Sequence, residues 1–88
     1  PEVVEVKNIA GFRNLKDGQK ATIEGTVTQV VGKTVFMEDE SAGIAIYNEN
    51  SMDLKPGDKI KVTGAKGTYN DLVQIQPETN NDIKVLDS

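Results

Sequence analysis

The chain contains neither cysteine nor histidine. That excludes disulfides, Cys/His zinc sites, thiol nucleophiles and histidine general bases, and with them the usual tools of hydrolytic chemistry. Aromatic residues are scarce, two Phe and two Tyr, so a ligand face that relies on rings has few to draw on. No apolar run approaches the roughly 20 residues of a membrane-spanning helix, and no basic-then-apolar segment of signal-peptide type opens the sequence. The expectation is a soluble domain with no membrane partner, and lack of cysteine suits a cytoplasmic or an extracellular location equally. A start at Pro1 rather than Met is expected of a piece excised from a longer protein or of a processed product.

What is present fits one small globular unit over residues 1–88, with 36% hydrophobic and 27% charged residues. A net charge of −4 counts against strong nonspecific nucleic-acid binding, which depends on Lys and Arg displacing phosphate counterions. The charge is uneven along the chain. Glu38, Asp39, Glu40, Glu49 and Asp53 form an acidic stretch without a base, and Lys55, Lys59, Lys61 and Lys66 follow with Asp58 alone opposing them. An acidic end and a basic stripe are expected, or simply a mixed solvated surface.

Periodicity predicts an all-β unit. Ile9, Ala10, Phe12 and Leu15 have near-helical spacing before Asp17-Gly18 breaks the pattern, which predicts a short helix or turn plugging one end of a barrel. From Lys20 to Val31, Ala21, Ile23, Gly25 and Val27 alternate with Thr22, Glu24, Thr26 and Thr28, the pattern of a long half-buried strand that bends at Gly25. Turn signals at Gly32-Lys33, at Ser41-Ala42-Gly43, at Pro56-Gly57 and at Asn70-Asp71 separate further strands at Thr34 to Asp39, Ile44 to Tyr47, Asp58 to about Thr68, and Leu72 to Gln76. A last short strand covers Ile83 to Leu86. Five antiparallel strands closing into a barrel would enclose Ile23, Val27, Val35, Met37, Ile44, Ile46, Ile60, Val62 and Ile75, with bulges expected near Gly64 and Gly67.

Several stretches carry a resemblance. TIEGTVT from Thr22, FMED from Phe36, GIAIY from Gly43, LKPGD from Leu54, KVTG from Lys61 and YNDLVQI from Tyr69 are similar, in type and order, to OB-fold modules appended to bacterial extracellular nucleases and phosphoesterases. More loosely they resemble the OB domains of replication protein A and related single-strand-binding proteins. The resemblance covers about residues 7 to 76. It implies a five-stranded Greek-key barrel with its ligand across the second and third strands, between the loops joining strands one to two and four to five. That places Phe36 and Tyr47 on the ligand face, Lys33 in the first loop, and Lys66, Tyr69 and Asn70 in the second.

A hairpin turning symmetrically about Ser41-Ala42 would set Phe36 opposite Tyr47 and Glu38 opposite Ala45, making one two-ring platform. Stacking on exposed rings gains about 1 to 3 kcal/mol per base and tolerates any sequence. The alternative is that the rings only cover the sheet or pair with each other. Lys33, Lys61 and Lys66 are candidates to neutralise phosphates. The run Glu38, Asp39, Glu40 is the one dense carboxylate cluster, but alternation splits it between two faces and no EF-hand spacing is present, so neither a metal nor any other cofactor is expected. No paired-acid or glycine-rich phosphate motif points to catalysis. Three function classes follow: a noncatalytic module that binds single-stranded DNA or RNA weakly, a protein-interaction module contacting other domains of a parent protein, and an oligosaccharide binder. A monomer is expected.

Overall fold

The alternating run from Thr22 to Val27 needs one dry face and one wet face, and the barrel supplies both. A computed structural model describes residues 3–47, 53–69, 72–77 and 82–87. In chain order they form β1 (Val3–Val4), α1 (Ile9–Arg13), β2 (Lys20–Val31), β3 (Thr34–Glu38), β4 (Gly43–Tyr47), β5 (Lys59–Tyr69), β6 (Leu72–Gln76) and β7 (Ile83–Asp87). The strands follow the order β1-β2-β3-β4-β6-β5-β7, and a further β2–β5 pairing closes β2, β3, β4, β6 and β5 into a barrel with the topology of an OB fold.

Four of the barrel's five joints are antiparallel, but β4 and β6 run parallel, with Ala45 opposite Gln74 and Ile46 opposite Ile75. The expected all-antiparallel barrel is corrected here, because β5 pairs with β2 and not with β4. The return strand β6 then lies beside β4 and runs in the same direction. The two-residue strand β1 joins β2 in parallel, and β7 lies along the first half of β5.

All nine residues expected inside are buried. Ile9 and Phe12 join them from α1, fully buried, together with Ala21, Leu54 and Ile83. Gly25 explains how the helix fits so close. A Cβ there would fall 2.7 Å from the Glu38 carbonyl oxygen and 3.3 Å from Ile9 Cδ1, so glycine lets the bent β2 admit both the end of β3 and the helix.

Register shifts occur between Val27 and Gln29 and between Lys59 and Ile60. Gly64 and Gly67 carry no bulge; at Gly64 a Cβ would press on the Gln76 backbone at 2.7 Å, so glycine there permits β6 to cross closely over β5. The Val27 bulge is pinned by the turn before β5: Val27 N–H donates to the Asp58 carbonyl at 2.8 Å, and Gly57 N–H donates to the Val27 carbonyl at 2.7 Å. Asp58, nearly buried, closes that turn by accepting the Lys55 N–H at 3.0 Å.

Candidate functional site

The outer face of β3 and β4 takes its geometry from the turn that joins them. Asp39 Oδ1 accepts the Ser41 N–H at 2.7 Å, the Ser41 hydroxyl at 2.6 Å and the Ala42 N–H at 3.1 Å, while Asp39 N–H donates to the Ala42 carbonyl at 3.0 Å. The turn is therefore centred on Glu40 and Ser41, one residue earlier than a symmetric Ser41-Ala42 turn. Phe36 consequently faces Ala45, Glu38 faces Gly43 and Tyr47 faces Thr34. The expected direct pairing of Phe36 with Tyr47 is corrected by two residues. A two-residue shift preserves the side of the sheet, so both rings still point outward, now as diagonal neighbours about 7 to 8 Å apart.

The same carboxylate organises the helix. Asp39 Oδ2 accepts the Ile9 N–H at 2.8 Å, Ser41 Oγ accepts the Ala10 N–H at 3.0 Å, and Asn8 Oδ1 accepts the Gly11 N–H at 2.9 Å. Three of the donors that a helix start leaves free are thus satisfied, two of them by the hairpin. Burial acts to raise the Asp39 pKa, but the bonds from Ser41, Ile9 and Ala42 outweigh it and hold the carboxyl at about 2. Among the described residues no three acidic side chains come together as a metal site.

Docked this way, α1 brings Arg13 to the β3–β4 face, where its Nη1 donates to the Gly43 carbonyl at 2.9 Å. A cleft of about 360 Å³ opens beside it, lined by Phe36, Thr28 and Leu72, by the short residues Gly43 and Ala45, and by Arg13 and Glu38 as its charged groups. Ala45 is buried and Phe36 half-buried, whereas Tyr47 and Leu72 are exposed. Beyond the Val27 bulge, Gln29 and Val31 of β2 extend this face, opposite Phe36 and Thr34.

The other expected site residues separate into groups. Lys33 is exposed in the two-residue turn between Val31 and Thr34, where Gly32 takes φ 58°, and so adjoins the Thr34–Tyr47 pair. Lys61 lies elsewhere, on β5 between Glu24 of β2 and Lys84 of β7. Lys66 is not in a ligand loop. It pairs with Ile75 within the barrel, its ammonium donates to the Leu15 carbonyl, Asp17 lies 4.0 Å away, and 12% of its side chain is exposed. Its role as a phosphate contact is corrected to one of tying the end of the N-terminal segment to β5. Tyr69 ends β5 opposite Leu72, and Asn70 lies outside the described residues.

The face also uses three residues outside the expected site set: Arg13, Thr28 and Leu72. Arg13 carried a signal, since it follows Ile9 by four positions and shares its side of the helix.

No protein-family model and no curated protein sequence matches the chain. Solved structures do. A hypothetical protein from E. coli, YgiW, superposes with a TM-score of 0.73 at 17% identity, covering 94% of this chain and 91% of that one. The S. pombe Stn1–Ten1 complex gives 0.71 at 16% identity, covering 91% and 73%. A replication protein A heterotrimer bound to single-stranded DNA gives 0.58 at 13%, covering 86% and 63%. At these identities the likeness establishes the OB fold. The resemblance to OB modules of bacterial nucleases and phosphoesterases gains no support from these three.

Proposed function

We propose that this domain is a noncatalytic module that binds single-stranded nucleic acid weakly across the outer face of β3 and β4. The observation that carries the reading is the outward placement of Phe36 and Tyr47 on adjacent strands, with the cleft at Phe36 and the cation of Arg13 at its rim. Bases stack on rings whatever their identity, and a guanidinium can meet either a phosphate or a ring face. Lys33 at the hairpin tip supplies a second phosphate contact. Support from outside the chain comes from replication protein A, an OB-fold relative in structure that is seen bound to single-stranded DNA.

With a net charge of −4 and two cations on the face, binding is expected at micromolar strength or weaker and should decline with salt on a shallow slope. Fluorescence anisotropy with a labelled single strand at low and moderate salt tests this. Weak, salt-sensitive binding supports the reading, and absence of binding at low salt refutes it.

A second reading has its own observation. Among the described residues β7 pairs only with β5, and it carries exposed Val85 and Leu86, an apolar edge that suits docking to another domain of a parent protein. The two readings use different surfaces, so variants at Phe36 and at Leu86 separate them.

A further inference from the structure

A face built only to hold phosphates would not place a carboxylate beside its ring. Glu38 nevertheless follows Phe36 by two residues on the same side of β3, which puts their backbones about 7 Å apart. Its carboxylate is exposed and makes no hydrogen bond or ion pair among the described residues. Directly across from it lies Gly43, the residue whose carbonyl fixes Arg13. One end of the cleft therefore carries an acceptor-only carboxylate and a donor-only guanidinium around the same short residue, and Phe36 stands one side chain further along.

That arrangement has a chemical complement. A base stacked on Phe36 extends its polar edge toward Glu38 and Arg13. Cytosine, adenine and guanine carry an exocyclic amino group next to an acceptor ring nitrogen; thymine and uracil lack the amino group and have one N3–H flanked by two carbonyls. We infer that the cleft favours bases bearing an exocyclic amino group, whose N–H donates to the Glu38 carboxylate while the neighbouring acceptor takes an N–H from Arg13. The inference rests on the single-strand reading above and adds a base preference at one position of an otherwise sequence-tolerant face. Thymine can offer the carboxylate only its N3–H, which lies between two carbonyls, so any approach of Glu38 to it sets carbonyl oxygens against the carboxylate.

The test compares labelled oligo(dC) and oligo(dT) by anisotropy above neutral pH, where cytosine is unprotonated, using the wild-type domain, Glu38→Gln and Phe36→Ala. The wild type should bind oligo(dC) about tenfold more tightly than oligo(dT), within the range a specific side-chain-to-base pair provides. Glu38→Gln should reduce that ratio to about twofold or less while raising oligo(dT) affinity, because a negative charge leaves the face. Equal wild-type binding of both strands, with Phe36→Ala weakening both, overturns the base preference and leaves the stacking reading intact. A preference that survives in Glu38→Gln overturns the role of Glu38. If neither strand binds, both proposals fall together.

Discussion

Replacing Asp39 by Ala would remove one carboxylate that serves two elements. Its Oδ2 caps the helix through the Ile9 N–H at 2.8 Å, and its Oδ1 holds the hairpin turn through the Ser41 N–H, the Ser41 hydroxyl and the Ala42 N–H. Loss of a helix cap costs about 1 kcal/mol. Loss of the turn adds about 1 to 2 kcal/mol, toward the lower end for bonds to a charged acceptor because the site is partly solvated. The sum of about 2 to 3 kcal/mol is a large share of the stability of a small domain. Acid provides an independent check. A carboxyl held at about 2 contributes stability that is complete above its unfolded value of 3.8 and is lost as pH falls through about 2. The wild type should therefore weaken across that interval, and the gap between wild type and Asp39→Ala should narrow in parallel. Urea unfolding followed by circular dichroism, at neutral pH and through the acid range, measures both quantities. A variant within about 0.5 kcal/mol of wild type at neutral pH, the scatter of an ordinary surface change, would refute the reasoning. So would a gap that ignores acid.

Gly25→Ala should destabilise the fold by about 1 to 3 kcal/mol, measured the same way, since the new methyl meets a backbone carbonyl that cannot move aside. Phe36→Ala should cost about 1 to 3 kcal/mol of single-strand affinity with a smaller loss of stability, whereas Val35→Ala, one residue away and fully buried, should cost about 2 kcal/mol of stability and spare binding in the folded fraction. Lys33→Ala should reduce the salt slope of binding by about 1, and Lys66→Met should lower the unfolding midpoint and leave that slope unchanged, because the two lysines serve a phosphate and the Leu15 carbonyl respectively.

The strands were legible because interior positions alternate with polar ones along β2 and the start of β5, and in β3 Val35 and Met37 could not turn outward without exposing apolar surface. Pairing partners were less so. Nothing in the composition of β6 says that it lies parallel to β4, because that depends on β5 pairing with β2 and not with β4. A two-residue strand such as β1 has no period to read. The hairpin register slipped by two because Asp39, read as the end of a strand, turned out to be the organiser of the turn. Lys66 looked like a surface cation because its inward direction follows from strand β5 continuing in register past Gly64, where a bulge was expected. Periodicity alone does not place Arg13 on the face, because its position depends on where the helix docks, and that depends in turn on Asp39 and Ser41.

Amide chemical-shift mapping of the labelled domain, titrated with a short single strand at low salt, tests the central claim most directly. The account predicts that the shifts concentrate on Arg13, Gln29, Lys33, Phe36, Glu38, Ala45, Tyr47 and Leu72, with Glu24, Lys61 and Lys84 little affected. Shifts centred on β7, around Val85 and Leu86, or on the Lys61–Lys84 pair, would contradict it, as would a spectrum that the strand leaves unchanged.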